Sequence, residues 1–189
     1  MISLTTGGWM VYESRGELDL LLMLDVDYRT VELATQPEEF RFKVAGRWRR
    51  YTPDIFSRDV FGGAAFWDVK RGCRLDADPG LGGRRQAIED ECAVRVAEFH
   101  LSPREAFRPG HRLANAYRIY ASACVRDVTA ERRVSIILAR HRPSVTLAAL
   151  RADGLDPTLH SCLLGMVGRR QVAIALDQSV DDDSLEVHW

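Results

Sequence analysis

Between residues 40 and 70 the chain follows the two-residue period of extended backbone. Phe40, Phe42 and Val44 alternate with Arg41 and Lys43, so one face is apolar and the other charged, which a strand satisfies and a helix does not. Ala45, Gly46 and Arg47 read as a turn. A second strand is predicted through residues 48–56, and Gly62 and Gly63 turn the chain into a third at 64–70. Neighbouring strands with short connections make an antiparallel meander. Ahead of them, Leu18, Leu21, Leu22 and Asp25 recur at helical spacing, and Ser14 with Glu17 three residues later has the form of a capping box. Residues 85–100 read as a second helix and 115–122 as a fourth strand. Helix, three strands, helix, strand predicts an α/β core, a mixed sheet flanked by helices.

Beyond about residue 126 the pattern changes. Val134, Ile137, Leu138 and His141 share a helical face that Pro143 ends, two short helices follow in 144–154 and 157–168, and residues 171–177 and 185–189 read as a hairpin. Three helices and a hairpin are the order of a winged helix. The predicted organisation is therefore a core over 1–126 and a small winged-helix-like module over 127–189. The connection 72–85 holds Pro79, Gly80, Gly82 and Gly83 but has no GK[ST] ending, which sets aside a phosphate-cradling P-loop.

The net charge of −1 excludes a strongly basic nucleic-acid binder, so any such role must rest on local patches. No apolar run has the length of a membrane span, and the first ten residues lack the basic start and apolar stretch of a signal peptide; a cytoplasmic protein is expected. Cys73, Cys92, Cys124 and Cys162 are scattered singly, as are His100, His111, His141, His160 and His188. Neither set has metal-ligand or disulfide spacing.

Lysine use is selective. The chain has 26 lysines and arginines together, of which only Lys43 and Lys70 are lysine. On a strand Asp68 and Lys70 project from one face, and Asp54, at the end of Tyr-Thr-Pro-Asp one strand earlier, can be brought beside Asp68 by an antiparallel neighbour. Two carboxylates and one ammonium are what phosphodiester hydrolysis needs: magnesium is held by one or two carboxylates, and a nearby cation offsets developing charge. A compact ammonium of adjustable pKa suits that role better than guanidinium. A solvated strand face carrying alternating charges is the competing reading. Glu17 is explained as a cap by its local sequence and is a catalytic candidate as well; Glu13, four residues before it, has no clear role.

Residues 11–71 resemble the TnsA-type endonuclease subunit of heteromeric transposases, a branch of the PD-(D/E)xK nuclease superfamily. The resemblance lies in Ser14-x-x-Glu17 of the first helix, Gln36-Pro37, Tyr51-x-Pro53-Asp54 and the final Asp68-Val69-Lys70. It implies a restriction-endonuclease-like core and hydrolysis of a phosphodiester at transposon ends, dependent on Mg2+ or Mn2+. It also implies double-stranded DNA as substrate, with a DDE-type transposase subunit and an ATPase regulator as partners. Carried over, Glu17, Asp54, Asp68 and Lys70 take the catalytic positions, with Asp54, Asp68 and Glu17 as metal ligands. Members of the branch carry glutamine where Asp68 stands, and aspartate fits the wider superfamily. Gln36 falls at a supporting position.

Arg47, Arg49 and Arg50, with Trp48 and Tyr51 among them, are the candidate DNA contacts, and Arg84 with Arg85 a weaker pair. In the terminal module, 157–170 is mostly apolar, with basic residues only at Arg169 and Arg170. Asp181, Asp182 and Asp183 stand at the tip of the hairpin, which favours protein docking over DNA reading. A stand-alone restriction or repair nuclease and a non-catalytic adaptor of the same fold are the alternatives.

Overall fold

A computed structural model describes residues 1–70, 81–141 and 143–189, without the side chains of Leu81 and Gly82. Helix α1 (Arg15–Val26) leads into β1 (Thr30–Thr35), a hairpin of β2 (Phe40–Val44) and β3 (Arg47–Tyr51), then β4 (Ile55–Asp59) and β5 (Ala64–Lys70). Helix α2 (Leu81–Val94) precedes β6 (Glu98–Pro103), and a 3-10 turn (Arg104–Phe107) follows it. The chain divides into two compact units, Met1–Asp25 with Arg29–Pro109, and Val26–Tyr28 with Gly110–Trp189.

In the first unit four strands form a sheet in the order β1-β4-β5-β6. Its pairs are antiparallel except β5 with β6, which are parallel, so the sheet is mixed and a crossover containing α2 joins the parallel pair. Phe56 of β4, Phe66 and Ala64 of β5, Phe40 and Phe42 of β2, and Ile88 and Cys92 of α2 form one buried cluster. The phenyl rings of Phe40 and Phe66 meet edge to face at 5.0 Å, a favoured aromatic geometry. The opposite face of β5 meets α1: a Cβ at Gly16 would lie 2.8 Å from Val69 Cγ1. Only glycine allows this approach, which brings the start of α1 beside the end of β5.

The alternating strand at 40–44 is present, but it pairs only with β3. Ala45 and Gly46 both have positive φ, 49° and 75°, the requirement of a tight hairpin turn. The extended segment predicted over 48–56 is two strands, because Pro53 has no N–H for a ladder and the backbone turns there. The meander's first strand is instead β1, a stretch to which the sequence pattern assigns no element. The fourth strand is β6, within the stretch read as the end of a helix; the helix ends at Val94, and Val96 is held at φ 55°. That helix begins at Leu81, inside the predicted loop, and residues 71–80 of that loop lie outside the described residues.

Residues 115–122 form part of a helix, α3 (Arg112–Ala123), and not a strand. Tyr117, Ile119 and Tyr120 favour strand by propensity, yet Asn115, Ala116 and Ile119 are buried on one helical face, and tertiary packing decides. The helix belongs to the second unit, so the division falls at 109/110 rather than 126/127. That unit continues with α4 (Val128–Leu138), β7 (Ser144–Thr146), α5 (Leu147–Ala152), α6 (Pro157–Gly168), β8 (Ala173–Ile174) and β9 (Glu186–His188). Its strands form a sheet in the order β7-β9-β8. Asp127, Thr146 and Asp156 cap α4, α5 and α6 by accepting backbone N–H bonds. Buried Asn115 donates to the carbonyls of Leu176 and Gln178 and accepts from Val180 N–H, which pins the connection between β8 and β9.

Asp25, fully buried near the end of α1, answers a polar demand from the N-terminal segment. Its carboxylate accepts from Ser3 Oγ at 2.6 Å, Leu4 N at 2.7 Å and Thr5 N at 2.9 Å. Asp25→Ala leaves these donors without an acceptor and is expected to lower stability by about 3 kcal/mol, read from the urea midpoint. A change below about 0.5 kcal/mol, the size of an ordinary surface substitution, would contradict this anchoring role. Among the described residues no helix is long and apolar enough to cross a membrane.

Candidate functional site

Strand register assembles the predicted pair. Ile55 is opposite Trp67, so the next rung places Asp54 opposite Asp68. Asp54 N–H donates to Trp67 O at 3.0 Å, and Asp54 Oδ2 accepts from Val69 N–H at 2.8 Å. Lys70, two residues beyond Asp68 on the same face, sets Nζ 2.7 Å from Asp68 Oδ1 and 3.8 Å from Asp54 Oδ2. Asp68 is buried, with a side chain 5% exposed, whereas Lys70 is 38% exposed. The ammonium therefore bridges a protected carboxylate and solvent. This polar group continues the face that carries Phe66 and Phe56, at the end of the aromatic cluster.

Electrostatics separate the roles of these groups. Burial, and then the neighbouring Asp68, push the Asp54 carboxyl up to about 7, because two ionised carboxylates at one buried spot repel. For Lys70, burial works against the charge, but Asp68, Asp54 and Glu17 outweigh it and hold the ammonium's pKa above its usual value. The site thus carries a fixed positive charge beside a carboxyl that shares a proton near neutrality.

Glu17 takes a different place from the pair. Ser14 Oγ accepts from Glu17 N–H at 3.2 Å, and Glu17 Oε2 accepts from Glu13 N–H at 2.8 Å, a capping box shifted by one residue. Its carboxylate acts on Lys70 through charge. Among the described residues, no group of three or more His, Cys, Asp or Glu side chains is placed to hold a metal ion. Glu13 does have a partner that the sequence did not reveal: Gln36 Nε2 donates to Glu13 Oε1 at 2.9 Å. Gln36, in the left-handed region at φ 46°, also donates its backbone N–H to Asp54 O at 3.0 Å. A chain of contacts thus runs from α1 through Gln36 to the backbone of Asp54.

Tyr51 belongs both to the basic patch and to Tyr51-x-Pro53-Asp54, and sequence assigned its side chain no role at the site. Its ring packs on Phe40 and Phe99, and burial, Asp68 and Asp54 raise its phenol pKa. It stands three residues before Asp54, and that spacing across Pro53 is the sequence signal that ties it to the site.

Hard oxygen donors suit magnesium or manganese, and such an ion needs only one or two protein carboxylates, with water completing its shell. Asp54 and Asp68 meet that requirement; a cation replacing the shared proton would also relieve their repulsion. Arg50 lies on the outward face of the hairpin, paired with Arg41, beside the Lys43 and Trp48 pair. Trp48 is 69% exposed, Lys43 Nζ sits 4.9 Å from its ring centre, and Arg41, Trp48, Arg49 and Arg50 line a shallow concavity. Arg47 and Arg49 follow the inward register of Val44 and Phe42 yet remain exposed. Arg85 is paired with Glu89 at 2.7 Å on α2.

In the second unit, the exposed positions of α6 are Pro157, Thr158 and Ser161, none of them charged. Arg169 is bound to Glu131 at 2.7 Å. The acidic tip differs from expectation: Asp181 pairs with Arg118, Asp183 pairs with Arg151, and Asp182 accepts from Ser184 N–H. Its charge is answered largely within the unit. No family model matches the chain, and no curated protein matches it.

Proposed function

We propose that this chain is a metal-dependent DNA endonuclease, the cleaving subunit of a heteromeric transposase that hydrolyses a phosphodiester at transposon ends in the cytoplasm. The observation that carries the reading is the grouping of Asp54, Asp68 and Lys70 on adjacent strands, with the Lys70 ammonium 2.7 Å from Asp68 and the Asp54 carboxyl raised to about 7. The order α1-β1-β4-β5-α2-β6, with the β2-β3 hairpin inserted, supports a restriction-endonuclease-like core. The resemblance over residues 11–71 supports the transposase assignment, with a DDE-type transposase and an ATPase regulator as partners.

Asp54 and Asp68 would hold a magnesium or manganese ion, with Glu17 acting on the site through its charge. Bound there, such an ion would supply Lewis acidity and a water activated for attack. Lys70 has three donors; among the described residues one reaches Asp68, and another would bind a phosphoryl oxygen and offset the charge that develops there. Lysine fits because a guanidinium fork would clamp the carboxylate bidentately. The polypeptide's remaining task is orientation, carried out by the Val69 N–H bond to Asp54 and the Gln36 tether.

The hairpin supplies backbone contacts beside the site. Changing Arg41, Arg49 and Arg50 together to alanine is expected to weaken DNA binding equally across sequences and reduce the slope of log K against log salt by about 2–3. Filter binding at several salt concentrations reads this; an unchanged slope would place the DNA elsewhere. The second unit, with the β7-α5-α6-β8-β9 order after α4, supports a winged-helix-like module. Its uncharged α6 surface favours protein docking. Nicking of supercoiled plasmid by the purified chain in manganese, with and without the partner subunits, tests the activity itself. Absence of nicking in every combination would favour an adaptor role.

A further inference from the structure

Buried polar groups in folded proteins nearly always have partners, yet the Tyr51 hydroxyl is buried without a hydrogen bond. Its position is determined by packing on both sides. The ring meets Phe40 at 6.1 Å and 60°, and Phe99 at 6.2 Å and 83°. Phe40 is its cross-strand partner in the hairpin, and Phe99 is registered with Phe66, two residues before Asp68 on β5. The aromatic cluster therefore carries Tyr51 to the polar end of the sheet face, where burial, the charges of Asp68 and Asp54 and a loose side-chain contact with Asp68, short of a closed hydrogen bond, raise its pKa. A phenol keeps its proton at neutral pH and can donate.

In the free protein the Asp68 carboxylate is bound by Lys70, at Oδ1. Binding of a divalent cation or a phosphodiester competes for that contact, since a carboxylate oxygen shared with an ammonium is a poorer ligand and an ammonium turned toward phosphate leaves the carboxylate. Buried carboxylates that ligate metals are held by further donors, whose loss weakens metal binding.

We propose that Tyr51 is a positioning residue for Asp68: its hydroxyl becomes the donor that fixes this carboxylate once Lys70 is displaced toward substrate. The proposal rests on the nuclease reading and adds a residue to its metal-binding apparatus. The orphaned hydroxyl is then a donor kept for the loaded state, and the rigid aromatic seat keeps it within reach.

Tyr51→Phe removes the hydroxyl and preserves the ring. Manganese is titrated calorimetrically into wild type and variant, alone and with a DNA duplex, and thermal unfolding of the metal-free proteins is recorded beside it. The expected result is a half-saturating manganese concentration raised about tenfold, with metal-free unfolding unchanged or slightly higher, because removing an unpaired buried polar atom does not weaken a fold. Nicking at saturating manganese is expected to keep its KM for DNA. An unchanged half-saturation in a wild type that binds manganese overturns the role of Tyr51 and leaves the nuclease reading intact. A loss of metal-free stability also overturns it, by showing that the hydroxyl is engaged in the free protein. Wild type that takes up no manganese, with or without duplex, overturns both.

Discussion

Asp54→Asn is expected to stabilise the folded chain at pH 8 and to reduce nicking by roughly 1,000-fold or more. Asp54 sits where burial and Asp68 raise its carboxyl to about 7, against an ordinary value near 4. The folded chain therefore binds a proton that the unfolded chain has already released between about pH 4 and pH 7. Stability from this group is complete below that window and is lost as pH rises through it. Asparagine removes the ionisation while still accepting from Val69 N–H, so the slope across the window should flatten and stability at pH 8 should rise by about 2 kcal/mol. Thermal unfolding at pH 5 and pH 8, with and without manganese, reads both halves. Manganese should stabilise wild type by mass action and leave the variant unmoved. A variant less stable than wild type at pH 8 would show that Asp54 is a structural carboxylate. Groups placed for function commonly lower stability in this way.

Lys70→Arg keeps the charge and is nevertheless expected to reduce nicking by roughly 100-fold. Lys70 Nζ lies 2.7 Å from one oxygen of Asp68 and 3.8 Å from Asp54, a spacing that lets one compact charge serve both and turn toward solvent. A guanidinium would bind Asp68 through both oxygens and lock it. Manganese affinity should fall with the rate, and folding stability should change little. Retention of full nicking by the arginine variant would mean that this position needs only a positive charge.

Much of the site was legible because strand geometry is a short-range rule. The i, i+2 relation of Asp68 and Lys70 needs only a strand, and Gly62 with Gly63 marks the turn that sets Asp54 opposite Asp68. The hairpin turn was equally legible at Ala45 and Gly46. What the sequence hid depended on tertiary partners. The stretch Thr30–Thr35 is a strand because β4 pairs with it, and Glu98–Pro103 because β5 does. Residues 115–122 carry strand-favouring side chains, but Asn115 must satisfy three backbone groups of the β8–β9 connection, which a helix presents correctly. The tether from Glu13 to Gln36 spans 23 residues, and no local pattern reports it. Tyr51 was visible in Tyr51-x-Pro53-Asp54, but the seating of its ring on Phe40 and Phe99 was not, for a similar reason. The charge of Asp181 and Asp183 was visible, while the arginines that answer it come from α3 and α5.

We propose that Asp54 and Asp68 form a divalent-cation site for phosphodiester hydrolysis. Calorimetric titration of manganese into wild type and Asp54→Asn, each alone and with a DNA duplex, addresses it most directly. Saturable binding to wild type, strengthened by the duplex and absent from the variant, is the predicted result. Equal heats from both proteins, or no binding by wild type even with duplex present, would contradict it.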